Sequence, residues 1–295
     1  MLCSDCFGKN KDTRKNELNN LTGKEWARFS KSVEHYLGTR TEKQRQHGAC
    51  FPLSLAEQQI RIYTKRDQLV FDPFMGVGTT AEACEKIGRK SIGIELNNEF
   101  VELSKRDIKD KKKHKIICAD IRDMLKYIDE NSIHFQITSP PYANLLKTVN
   151  REFAFKWKEH STLNSLKNPV PYSKNDKDLG NLPYNNFLTE LESIFLNTFK
   201  VLIDGSYAVW VVKDYRDLDN KKPFVNFHSD VIRVAENAGL TLWDIRIYDQ
   251  TKFRPLVVLG YPSKNYYLNI GHSYLLVFRK YVNGKYATKT NRKGS

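Results

Sequence analysis

Apolar positions along this chain fall into short runs separated by stripes with helical spacing. Runs at 69–71, 91–94, 114–119 and 133–137 are bounded by Gly, Pro or charged residues and are too short for buried helices, so they read as strands. The segments between them, such as Ala81-Glu82-Ala83-Cys84-Glu85, read as helices. Strand and helix alternate across 69–137, which predicts a parallel sheet with right-handed crossovers. Downstream, Leu188, Leu191, Ile194, Phe195, Phe199 and Leu202 share one face of a predicted helix over 187–202. Asp204-Gly205 turns into a strand over 207–212, and a helix over 228–237 closes at Ala238-Gly239. Two further strands are expected at 243–248 and 274–278. Upstream, Phe29, Val33 and Tyr36 suggest a helix over 26–36, and Cys50-Phe51-Pro52 leads into a helix over 55–64. The expected architecture is α/β, a seven-stranded mostly parallel sheet with helices on both faces.

The remaining segments are polar, and their charge changes the picture. Lys and Arg number 48 against 34 Asp and Glu, a formal net charge of +14, which suits a polyanionic partner. Residues 1–20 and 283–295 are basic and expected to be poorly ordered. The charged stretch 39–47 reads as a loop or as a surface that meets phosphate, 109–115 as a solvated loop first and a phosphate contact second, and 213–222 as a charged loop. Residues 145–185 are irregular and interleave Arg151, Lys156 and Lys158 with Phe153, Phe155 and Trp157, a pattern suited to a nucleic-acid backbone and exposed bases. A second such segment, 251–269, carries Lys252 and Arg254. No apolar run approaches a membrane span and no secretory leader is visible, so a cytoplasmic protein is expected. The pair Cys3-x-x-Cys6 has no partner pair at zinc-ribbon distance, so no metal is expected. Cys84 and Cys118 read as small core residues.

Two motifs carry the chemistry. The strand at 133–137 runs into Thr138-Ser139-Pro140-Pro141-Tyr142. Consecutive prolines cannot extend a sheet and hold the preceding residues extended, leaving a stiff loop at a strand's carboxyl end. Such a loop projects a hydroxyl, carbonyls and an aromatic ring, which can hydrogen-bond the amino group of a planar base and stack on its face. Earlier, Asp72-Pro73-Phe74-Met75-Gly76-Val77-Gly78-Thr79-Thr80 places an acid and a glycine turn between strand and helix, although the third glycine of a dinucleotide fingerprint is missing. The next two strands run into Glu95 and Asp120. Acids at three successive strand ends around a glycine turn suit a nucleoside with an amino-acid tail, with Glu95 placed to grip ribose hydroxyls.

Together the two motifs resemble the DNA amino-methyltransferases, which methylate cytosine N4 or adenine N6. The likeness extends to Leu21-Thr22-Gly23-Lys24-Glu25-Trp26, Cys50-Phe51-Pro52-Leu53 and the segment beginning His272-Ser273-Tyr274, so that 21–282 would be the methyltransferase domain. The resemblance implies a Rossmann-like fold decorated by DNA-recognition loops and S-adenosyl-L-methionine as cofactor. It implies that Asp72, Pro73, Phe74, Gly76, Gly78, Thr79 and Thr80 hold the methionine end, Glu95 the ribose, Asp120 with Ile121 the adenine, and that Phe51 and Pro52 close the pocket. Ser139, Pro140, Pro141 and Tyr142 would be the catalytic residues acting on a base flipped from double-stranded DNA. Ser before the two prolines favours cytosine N4. A cognate restriction endonuclease would share the recognition site. The alternatives are adenine N6, an RNA amino-methyltransferase, or a non-catalytic nucleic-acid-binding protein.

Overall fold

The computed structural model describes residues 16–38, 41–47, 50–142, 175–217, 221–252, 262, 264 and 266–281. Its centre is one eight-stranded sheet in the order β1-β9-β10-β6-β5-β2-β3-β4. The strands are β1 (Val33–Glu34), β2 (Leu69–Asp72), β3 (Lys90–Glu95), β4 (His114–Cys118), β5 (Ile133–Thr138), β6 (Leu202–Val212), β9 (Leu240–Asp249) and β10 (His272–Lys280). A separate antiparallel pair, β7 (Tyr215–Asp217) and β8 (Lys222–Val225), follows β6. From β4 through β6 all neighbours are parallel, whereas β10 runs antiparallel to both β6 and β9. The chain moves outward from β2 to β3 and β4, then returns to the other side of β2 with β5. That reversal opens a crevice at the carboxyl ends of β2 and β5, where ligands of open α/β sheets bind.

Both faces are covered. The helices are α1 (Gly23–Phe29), α2 (Glu42–His47), α3 (Leu53–Tyr63), α4 (Thr79–Ile87), α5 (Asn98–Arg106), α6 (Tyr184–Val201) and α7 (Phe227–Asn237). Phe71, Ala208, Trp210, Leu276 and Phe278 point to one face, where they pack with Phe187, Leu191, Ile194 and Phe195 of α6 and Phe227 and Val231 of α7. Val70, Phe135, Ile137, Val209, Leu275 and Val277 point to the other, against Leu55, Ala56 and Ile60 of α3 and Ala83 and Cys84 of α4. The alternation along each strand is the two-residue period of a pleated sheet. It accounts for the near-continuous apolar runs, since a sheet covered on both faces needs apolar side chains at every position.

Several expectations are corrected. The helix expected over 26–36 ends at Phe29, and Val33–Glu34 becomes an eighth strand, parallel to β9. The cause is tertiary: Arg246 donates to the carbonyls of Phe29 and Lys31 at 2.8 and 2.9 Å and to Gln59 Oε1 at 3.0 Å, which holds the chain extended beside β9. Of the stretch 1–20 expected to be poorly ordered, residues 16–20 are described, and Asn19 there is buried, its Nδ2 donating to the Ile62 carbonyl at 2.7 Å. The charged stretch 39–47 contains α2, anchored by a buried Lys43 whose ammonium lies 2.9 Å from Glu82 and 3.0 Å from Asp107. The loop expected at 213–222 contains β7 and the start of β8. The irregular stretch 145–185 already has order at its end, where Leu179–Asn181 is a turn of 3₁₀-helix and α6 starts at Tyr184. Cys84 is in the core, but Cys118 is exposed, its thiol aimed at the Leu96 carbonyl. Among the described residues no helix is long and apolar enough to cross a membrane.

Candidate active site

Asp72 ends β2 and is almost fully buried at the crevice floor. Its Oδ1 accepts from the Thr138 hydroxyl at 2.7 Å and the Phe74 amide at 3.1 Å, and its Oδ2 accepts from the Thr80 hydroxyl. The carboxylate therefore ties together the last residue of β5, the turn after β2 and the start of α4. Burial raises its pKa to about 6, against the pull of those three donors. Glu95 ends β3 and clamps the same turn, accepting from the Gly76 amide at 2.8 Å and from the Asn97 amide at 2.8 Å. Its carboxyl is raised by burial, with those two amides pulling the other way.

The glycine turn is shaped by packing against the protein itself. Gly78 has φ of +83°, and a Cβ there would lie 2.5 Å from the Ser104 Cβ of α5. A Cβ on Gly76 would lie 2.8 Å from the His47 imidazole. The absence of a Cβ at both positions lets α5 and α2 close on the turn. Thr79 and Thr80 are likewise buried, the first receiving a hydrogen bond from Gln44 at 3.0 Å and the second donating to Asp72.

Above this floor lies an open cleft, about 690 Å³ when the solvent at its mouth is included. Pro73, Phe74, Glu95, Asp120 and Ile121 line it, and so do Ser139, Pro140 and Pro141. The two sequence motifs thus meet in one cavity. Residues not foreseen complete it: His47 from α2, Phe100 from α5, and Lys177, Asp178 and Leu179 from the segment before α6. The rings of His47 and Phe100 pack at 4.6 Å. Phe100 carries a sequence signal in retrospect, being the aromatic in the first turn of the helix that follows the acid of β3. The 177–179 wall is held by Arg122, whose guanidinium lies 3.4 Å from Asp120 and 3.3 Å from Glu190 and donates to the Lys177 carbonyl at 2.6 Å.

Other expected residues sit elsewhere. Phe51 and Pro52 are part-buried at the start of α3, and Phe51 packs on the opposite core with Leu53 and Tyr63 instead of lining the cleft. Tyr142 is partly buried, its ring 5.2 Å from Phe227 and edge-on to Tyr215 at 6.0 Å. Lys252 is exposed in the turn after β9. Arg151, Lys156, Lys158 and Arg254 lie outside the described residues.

The cleft fits a nucleoside with a charged tail. Phe74, Ile94, Phe100, Ile121 and Leu179 give apolar walls for a flat ring, and Glu95, Asp120 and Asp178 give acceptors for hydroxyl and amino groups.

A family model described as DNA methylase matches residues 7–106, a segment that contains the glycine turn and Glu95 and ends before Ser139. The chain is 27% identical over 176 residues to the Type II methyltransferase M.MjaI of Methanocaldococcus jannaschii, covering 57% of this chain and 55% of the relative. It is 31% identical over 132 residues to the Type II methyltransferase M.MthZI of Methanothermobacter thermautotrophicus, covering 39% and 37%. The match thus spans about half or less of these relatives' length. Among solved structures, a TehB-like SAM-dependent methyltransferase from Corynebacterium glutamicum superposes with a TM-score of 0.43 at 14% identity, covering 76% of this chain and 86% of that one.

Proposed function

We propose that the chain is an amino-methyltransferase that methylates the exocyclic amine of a base in double-stranded DNA, cytosine N4 in preference to adenine N6. One observation carries the reading: the cleft that Glu95 and Asp120 furnish with acceptors is also lined by Ser139, Pro140 and Pro141. A donor held by the first set would lie beside an amine held by the second.

S-adenosylmethionine supplies an electrophilic methyl group when bound. Glu95 would accept from the ribose hydroxyls and Asp120 from the adenine amine, with Ile121, Phe100 and Leu179 against the ring faces. The turn from Pro73 to Gly78 would take the methionine end. On the acceptor side, Ser139 and the Pro140 carbonyl would accept hydrogen bonds from the base amine and turn its lone pair toward the donor. Positioning of this kind can supply much of the rate without a strong base, since the amine sheds its proton after attack. The Thr138–Asp72 bond fixes how far the Ser139 loop stands from the donor edge. Tyr142 would present the exposed part of its ring to the flipped base while Phe227 and Tyr215 hold it from behind.

The preference for cytosine rests on Ser139. An uncharged short acceptor suits one amine hydrogen bond, and the family resemblance links Ser before the prolines with N4 transfer. The Type II names of the relatives support a role as the modification partner of a restriction endonuclease. The test is direct: unmethylated genomic DNA is treated with enzyme and S-adenosylmethionine, digested to nucleosides and separated by mass. N4-methylcytosine is expected; N6-methyladenine in its place would overturn the base assignment, and no methylated nucleoside would overturn the reaction.

A further inference from the structure

The sheet edge that carries the Ser139–Tyr142 loop also carries the β7–β8 hairpin, because β6 runs parallel to β5 and the hairpin begins three residues after β6 ends. Tyr215 of β7 meets Tyr142 edge-on at 6.0 Å, so the hairpin is anchored beside the loop. Its outer side is unusual for a soluble surface. Phe224 is 49% exposed, and Tyr266 and Leu268 on the adjoining segment are 61% and 76% exposed. Exposed apolar groups on adjoining segments can form an interaction surface.

The patch is built. Arg216 of β7 donates to the Pro223 carbonyl at 2.7 Å and to the Leu268 carbonyl at 2.8 Å. Its guanidinium also lies over the Tyr267 ring at 4.8 Å and the Phe224 ring at 5.8 Å. One side chain thus clamps the hairpin to residues 267–268. Lys221 and Lys222 stand exposed at the near end of β8, the second lying 5.4 Å over the Tyr184 ring. Asp214, the acid preceding the hairpin, is buried and held by the His228 imidazole at 2.8 Å, whereas Asp217 of β7 is partly exposed opposite Lys222 and leaves Lys221 as the cation with no acid across from it in the hairpin register among the described residues.

We propose that this hairpin surface is a DNA-contacting element: Lys221 and Lys222 meet backbone phosphates, and Phe224 with Leu268 packs on sugars and bases beside the target nucleotide. The inference rests on the DNA-methyltransferase reading and extends it to the β7–β8 hairpin, which lies outside the segments 145–185 and 251–269 and is clamped to residues 267–268 of the second. Charge decides the occupant, since exposed cations flanking aromatic and aliphatic groups match a polyanion with stacked rings. Arg216 is a positioning residue, its donors turned to carbonyls of its own chain.

The experiment measures binding of a fluorescein-labelled duplex of random sequence across a salt series. Two proteins are compared with the parent: Lys221→Asn with Lys222→Gln, and Leu268→Ser. Loss of two phosphate contacts should make the slope of log affinity against log salt shallower by about 1.8 and lower affinity by roughly tenfold to a hundredfold near 0.1 M salt. Leu268→Ser should lower affinity with the parent's slope. Titration with S-adenosylmethionine, unchanged in both variants, certifies the fold. Parent-like slope and affinity in the double variant overturn the proposal. So does a parent dimer that the variants dissolve with the slope unchanged, which would make the patch a self-association surface. A parent that binds DNA but transfers no methyl group refutes the function and leaves the hairpin assignment to the slopes.

Discussion

Thr138→Val tests how the crevice is held together. The substitution keeps the shape of a fully buried side chain and removes the hydroxyl that donates to Asp72 at 2.7 Å. Two donors, the Phe74 amide and the Thr80 hydroxyl, remain on the carboxylate. A hydrogen bond to a charged group contributes about 1.5–3 kcal/mol, and one between neutral groups about 0.5–1.5 kcal/mol. Which value applies depends on pH, because the folded Asp72 has a pKa of about 6 against an ordinary value of 3.8. Being raised, it makes stability decline as pH rises between those two values: the unfolded chain releases its proton first, at a cost on the order of 3 kcal/mol once both are ionised. Removing the Thr138 donor raises the folded pKa further and extends that decline above pH 6. Urea unfolding of parent and variant should therefore give a difference of roughly 1.5–3 kcal/mol near pH 8 that shrinks to about 1 kcal/mol near pH 5. Equal differences at the two pH values would refute an ionised Asp72 as the acceptor. A difference below about 0.5 kcal/mol near pH 8 would show that the Thr138–Asp72 bond does not hold the two strands together.

Two other outcomes follow from the site. Glu95→Gln should weaken S-adenosylmethionine binding measured by calorimetry, whereas Ser139→Ala should bind it almost normally and lose methyl transfer by about a hundredfold or more; the reverse pattern would reassign the two walls of the cleft. Gly78→Ala must place a Cβ 2.5 Å from the Ser104 Cβ at φ of +83°. It should destabilise the fold by about 2–4 kcal/mol in thermal or urea unfolding, with a normal melt counting against the packing role given to this glycine.

What sequence determined here is the frame of the site. The strands ending in Asp72 and Glu95, the acid after β4 and the Pro-Pro loop after β5 are local signals: short apolar runs, a glycine turn and two prolines act on their own neighbours, so their effect survives without knowledge of the fold. Tertiary structure decided what those residues touch. Asp72 spends its oxygens on Thr138, Thr80 and the Phe74 amide, and Gly78 yields to Ser104, because sheet and helices converge there from positions up to 66 residues apart. The eighth strand exists because Arg246, more than 200 residues downstream, holds the carbonyls after α1. Phe51 turned to the opposite core, and Phe100, His47 and Asp178 entered the cleft, through helix placement that no local pattern specifies. Periodicity states which face of an element is apolar; only the packed arrangement states which neighbour that face, or the polar residue at its edge, will meet.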